Sequence, residues 1–363
     1  MKKKIWFYLV TGAMVLAFAG CGNAEVSQDT SLDSSQTVQE EPVESSESTA
    51  VEEVSSEESA TEESTTVEES ENQASEEISV QDTEETVAEK EESEDEEVTK
   101  QEENNFDVPL NFTSIQKGAK YGKMQEITYE SKTTGTTRKA NIILPVDYSE
   151  DKEYPVLYLL HGIGGDQNEW KGGKPEYIVS NLVAAGETSE MIVVFPNVRA
   201  RANDAGNPGD IYTVEHFNAF DNFINDLRDD LMPFIEENYS IATGKENTAI
   251  AGLSMGGREA LYIGFSMPET FGYIGAFCPA PGVLPYHTEK GLFLEEDFRL
   301  PEGSDNMVMI VKGKTDGVVA EWPETYHKTL EANEVEHIYY ETDGGHDFTV
   351  WKHGLYNFVK RIF

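Results

Sequence analysis

From residue 106 onward, apolar residues fall into short blocks that alternate between two rhythms. Eight blocks read as strands: KMQEITYES, KANIILP, YPVLYLLHG, MIVVFPN, NTAIAGLS, YIGAFCPA, NMVMIVKG and HIYYETD. Between them, near 174–186, 215–238, 256–267, 321–333 and 350–362, apolar residues recur three and four apart, which predicts helices. In FNAFDNFINDLRDDLMPFIEENY the spacing of Phe220, Phe223, Ile224, Leu227, Leu231, Phe234 and Ile235 predicts an amphipathic helix lying on a sheet. Pro233 has no N–H to give and should bend or split that helix. YPVLYLLHG, MIVVFPN and NTAIAGL are apolar without a break, as strands covered on both faces are. Strands alternating with helices predict a mostly parallel, doubly wound α/β sheet. TTGTT between the first two strands predicts a hairpin, and with it an antiparallel N-terminal edge.

The first third of the chain has neither rhythm. Residues 1–20, MKKKIWFYLVTGAMVLAFAG, set three lysines ahead of an apolar run and then small residues. That is the pattern of a secretory signal, with an apolar core too short for a comfortable membrane span. FAGC, ending at Cys21, resembles the lipobox of bacterial lipoproteins. The resemblance implies acylation of Cys21 and a domain held on the extracellular face of the cell membrane, because more than one acyl chain makes a stable anchor. Residues 21–105 are expected to be a disordered linker. From 24 to 105 there are 30 acidic residues against two lysines, a net of −28, and no aromatic residue. Such a segment cannot bury enough apolar surface to offset its chain entropy, and its self-repulsion extends it.

Residues 106–363 therefore form one large domain. It holds all seven histidines and, with 22 basic and 39 acidic residues, carries −17. That charge argues against nucleic acid or an anionic membrane surface as partner. Its single cysteine, Cys278, leaves it without an internal disulfide. No His or Cys cluster has metal-ligand spacing and no phosphate-binding glycine loop is present, so neither metal nor cofactor is expected.

Chemistry concentrates at Gly252-Leu253-Ser254-Met255-Gly256. A buried strand enters this G-x-S-x-G stretch and a helix leaves it, the setting of a nucleophile elbow, where flanking glycines let the turn pass close to neighbouring backbone. A serine hydroxyl needs a base, and an acid to orient that base, both later in the chain. Asp316 follows the strand NMVMIVKG, and His346 lies in the loop after HIYYETD. His346 is thus the expected base, later the acid, and Asp316 the residue that fixes its tautomer; Asp343 and Asp347 are rivals to Asp316. Leu160-His161-Gly162-Ile163-Gly164-Gly165 follows the third strand, so the backbone N–H groups of Ile163 and Met255 are the expected oxyanion donors. His161 is expected to shape that loop.

TRKANIILP, KEYPVLYLLHGIGGDQNEW, AIAGLSMGG and GGHDFTVWK together resemble the feruloyl esterase domains of bacterial xylan-degrading enzymes, the family-one carbohydrate esterases related to esterase D. The likeness runs from about residue 115 to the C-terminus. It implies an α/β-hydrolase fold, Ser254, Asp316 and His346 as a catalytic triad, no cofactor, and feruloylated or acetylated xylan as substrate. Trp170, Phe348 and Trp351, in segments near the catalytic loops, are candidates to sandwich a cinnamoyl ring. Two other readings stay open: an esterase for another acyl ester, such as a siderophore ester, and a non-catalytic carbohydrate-binding lipoprotein on the same scaffold.

Overall fold

The computed structural model describes residues 105–287 and 290–363. The signal segment, Cys21 and the acidic linker as far as residue 104 lie outside the described residues. Eight strands form one sheet: β1 (Met124–Ser131), β2 (Thr136–Ile143), β3 (Val156–Leu160), β4 (Ile192–Pro196), β5 (Thr248–Leu253), β6 (Tyr273–Phe277), β7 (Met307–Gly313) and β8 (Ile338–Thr342). Their order across the sheet is β1-β2-β4-β3-β5-β6-β7-β8. β1 and β2 pair antiparallel, with Met124 opposite Ile143 and Ser131 opposite Thr136, and β2 runs antiparallel to β4. Every later pairing is parallel. The hairpin turn is tighter than TTGTT suggests, because Thr136 and Thr137 already belong to β2. Gly135, at φ 73°, closes it with an N–H bond of 3.0 Å to the Ser131 carbonyl.

The period of two along the central strands sorts their side chains into two cores. Val156, Tyr158 and Leu160 of β3 face one way, Leu157 and Leu159 the other. The second face is covered by α1 (Pro175–Ala185) and by the C-terminal helix. The first is covered by the run between β4 and β5 and by the helices after β5 and β7. That run is not one helix: it divides into α2 (Val214–Asp221), α3 (Phe223–Asp226), a π-helical turn Leu227–Leu231, and α4 (Met232–Asn238). The widened turn comes just before Pro233, which cannot return an N–H to the preceding turn, so the break expected there takes the form of a π-bulge. Asp226 at this break is fully buried and accepts hydrogen bonds from Tyr129, Ser131 and Arg138. Arg138, also buried, extends to the carbonyls of Asn197 and Arg199, tying the edge hairpin to the segment after β4.

β3 is followed in sequence by β4 on one side, yet its other neighbour is β5. Strand order therefore reverses between β3 and β5, and the carboxyl ends of two such strands frame the crevice where doubly wound sheets bind ligands. The remaining helices are α5 (Met255–Ser266), α6 (Trp322–Ala332) and α7 (Phe348–Val359). Among the described residues no helix is long and apolar enough to cross a membrane.

Candidate active site

β5 ends at Leu253 and α5 starts at Met255, so Ser254 makes the whole turn by itself. Its φ of 53° and ψ of −118° lie where side chains are rarely found, a strain of about 1–3 kcal/mol that the surroundings must hold. They hold it by hydrogen bonds: Ser254 N–H donates to Phe277 O (2.9 Å), and its carbonyl accepts from Arg258 and Ala280 N–H, both at 3.0 Å. The flanking glycines answer to close approach. A Cβ on Gly252 would sit 2.3 Å from Gly256 O, and one on Gly256 would sit 2.5 Å from both Leu160 O and His161 O.

Asp316, just past β7, and His346, in the loop between β8 and α7, meet Ser254 at the same rim of the sheet. Ser254 Oγ–H donates to His346 Nε2 at 2.8 Å, and His346 Nδ1–H donates to Asp316 Oδ2 at 2.7 Å. The other oxygen, Asp316 Oδ1, accepts from Val318 N–H (2.9 Å) and Val319 N–H (3.2 Å). Burial alone would raise the Asp316 carboxyl, but His346 and these two N–H groups outweigh it and hold it below its ordinary value. The rivals are engaged elsewhere. Asp343 pairs with Lys314, and Asp347 caps α7 through Thr349 N–H. Buried Cys278 also approaches Asp316, and burial, with that carboxylate beside it, pushes its thiol well up. Cys278, Asp316 and His346 are the one trio of potential metal donors within 4.8 Å of one another among the described residues, and two of them already bond each other.

The loop after β3 is clamped from several directions. His161 Nε2 accepts Val198 N–H (2.8 Å), which leaves the proton on Nδ1 to donate to Gly162 O (2.7 Å). Burial lowers His161 to about 4, so the ring stays neutral as that pattern requires. His216 Nε2–H donates to Ile163 O (3.0 Å), Asn207 to Gly164 O (3.0 Å) and Arg199 to Gly165 O (3.2 Å). In a trans peptide the N–H runs opposite to the C=O, so fixing the Gly162 carbonyl fixes the direction of Ile163 N–H. That N–H has no acceptor among the described residues, and Met255 N–H, first in α5, has none within its helix. Two unpaired donors beside a hydroxyl, imidazole and carboxylate can activate a nucleophile and receive the charge that develops on a carbonyl oxygen. His216, Asn207, Arg199 and Glu169, which accepts Gly162 N–H, did not emerge from the sequence. Of these, Glu169 lies inside the HGIGGDQNEW stretch; the others come from distant segments with no local signal.

Two of the three expected ring-binding residues, Trp170 and Trp351, turn inward. Trp170 is 1% exposed, its indole N–H donating to Leu160 O at 2.9 Å, and Trp351 is 8% exposed. Phe348 lies between them, edge-on to both at 5.8 and 5.0 Å, under Gly172 and Gly173. Trp351 in turn meets the His346 ring edge-on at 5.1 Å. Trp170 and Trp351 are thus packed inside, beneath His346, and only Phe348 is partly exposed. Apolar groups that do face solvent near the loops include Tyr212, next to the Ile211 that flanks Gly164, and Val318, two residues beyond Asp316.

The Esterase family model matches residues 131–362. A CE1 ferulic acid esterase from Anaeromyces mucronatus, solved in complex with ferulic acid, aligns at 40% identity and a TM-score of 0.68, over 71% of this chain and 97% of its own. The endo-1,4-beta-xylanase/feruloyl esterase of Xylanibacter ruminicola is 30% identical over 274 residues, which are 72% of this chain and 34% of that much longer protein. An acetyl esterase of Caldicellulosiruptor saccharolyticus is 23% identical over 277 residues, 64% of this chain and 96% of its own.

Proposed function

The chain belongs to the Esterase family and is a carboxylic ester hydrolase, and from that premise we propose that it removes feruloyl or acetyl groups from xylan by way of an acyl-enzyme. The observation that carries the chemistry is the continuous relay from Ser254 Oγ through His346 to Asp316, at 2.8 and 2.7 Å. His346 takes the serine proton as Ser254 attacks the ester carbonyl, and Asp316 stabilises the imidazolium. The N–H groups of Ile163 and Met255 receive the oxyanion, each worth about 3 kcal/mol of barrier. As the intermediate collapses and the bond between acyl carbon and sugar oxygen breaks, His346 gives its proton to that oxygen, and the sugar leaves as its free hydroxyl. Water attacks the acyl-serine in a second round of the same steps, with His346 as base once more.

The feruloyl assignment draws on the activities of the fungal ferulic acid esterase and the Xylanibacter relative, and the acetyl alternative on the Caldicellulosiruptor acetyl esterase. Display on the outer face of the membrane, with Cys21 acylated and the acidic segment as a stalk, would put the site within reach of a polymer that cannot enter the cell. Initial rates on methyl ferulate, p-nitrophenyl acetate, acetylated xylan and a siderophore ester test the substrate. Methyl ferulate or acetylated xylan should be turned over at a higher kcat/KM than a siderophore ester; a preference for the latter would overturn the xylan assignment and leave the hydrolytic one.

A further inference from the structure

Glu169 brings a second carboxylate to the loop beside the serine, one that the relay does not use. Its Oε2 accepts Gly162 N–H at 2.7 Å. A point where Gly162 would carry a Cβ lies 3.5 Å from that oxygen and 3.4 Å from Ser254 Cβ, so carboxylate and nucleophile flank the same glycine. The side chain folds back over Gly165, where a Cβ would sit 2.4 Å from Oε2. Gly165 thus leaves room for the acid side chain. With His161 on the carbonyl of Gly162 and Glu169 on its N–H, this residue is gripped from both sides.

We propose that Glu169 is a positioning residue: its carboxylate, holding Gly162 N–H, anchors the loop that presents Ile163 N–H to the reacting carbonyl. The inference rests on the reading of Ser254 and His346 as nucleophile and base. Burial holds the Glu169 carboxyl above its ordinary value, although Gly162 N–H draws it down. Lys171 is turned to Asn168 and Arg199 to the Gly165 carbonyl, which leaves Gly162 N–H as the hydrogen-bond donor to Glu169 among the described residues.

Glu169→Ala removes the acceptor and, with the loop released, should lose about 10²-fold in kcat on p-nitrophenyl acetate at nearly constant KM. Glu169→Gln, whose amide oxygen can still accept Gly162 N–H, should recover about tenfold or more of that loss. Circular dichroism establishes that the variants are folded, and Glu169→Met, of similar size but without the oxygen, keeps the test usable should Ala fail to fold. A folded Glu169→Ala or Glu169→Met with kcat within about threefold of wild type, or a Glu169→Gln no better than Ala, overturns the proposal. Ser254→Ala is run alongside: residual turnover there would sink the relay itself, whereas an inactive Ser254→Ala beside an unimpaired Glu169→Ala sinks the role of Glu169 alone.

Discussion

Gly256→Ala places one methyl group at the point where the elbow and the oxyanion loop touch. The new Cβ would lie 2.5 Å from Leu160 O and from His161 O, and 2.7 Å from Leu160 C. All three are backbone atoms at the end of β3, so no side chain can swing away. Reaching 3.0–3.4 Å requires a displacement of about 0.5–0.9 Å, shared between α5 and the strand end, a crowding typically worth 1–3 kcal/mol. Each kcal/mol should lower Tm by about 2–4 °C in a domain of this size. Because Leu160 and His161 lead directly into Gly162 and Ile163, the displacement also moves Ile163 N–H, the proposed oxyanion donor. Misplacement on the scale of an ångström costs about 10²-fold in rate. The assay is kcat and KM on p-nitrophenyl acetate beside a thermal melt, with Gly209→Ala as control. Nothing lies within 4 Å of a Cβ at Gly209, which should leave stability within about 0.5 kcal/mol. A Gly256→Ala protein with wild-type Tm and kcat within threefold would refute the close-approach account of the elbow.

Two further outcomes follow from the buried polar groups. Arg138→Met leaves Asp226 buried without its cation and should cost about 3–5 kcal/mol in urea unfolding, with Arg138→Met/Asp226→Leu recovering a large part; equal losses in both variants would contradict this. His161 stays neutral in the fold down to about 4 but protonates in the unfolded chain near 6.5, so between those values the unfolded state binds the additional proton. Stability should therefore decline as pH falls through that window, by up to about 3 kcal/mol from this residue. His161→Gln should flatten the slope of urea stability between pH 6.5 and 4.5, and an unchanged slope would argue against it.

Strands such as Val156–Leu160 and Thr248–Leu253 were legible because burial on both faces leaves an unbroken apolar run, and each expected strand and helix corresponds to an element of the sheet or its covering layers. The meeting of Ser254, Asp316 and His346 could be anticipated because a parallel sheet delivers the ends of β5, β7 and β8 to one rim. What sequence order does not contain is contact across it. His216, Asn207 and Arg199 reach the oxyanion loop from 34 to 53 residues away, and only the fold brings them there. Trp170 was misjudged for a related reason: proximity along the chain to a glycine loop says nothing about which way an indole turns, and this one turns inward to Leu160 O. The π-turn before Pro233 was half legible, since the missing N–H marks a break without saying that neighbouring residues will close it as a wider turn.

The account depends most on Ser254 carrying the acyl group. Brief exposure to a fluorophosphonate, followed by peptide mass mapping, should find a single phosphonyl adduct on Ser254, with turnover lost in proportion to labelling and no adduct in Ser254→Ala. Labelling at another residue that abolishes turnover, or full turnover in Ser254→Ala, would contradict it.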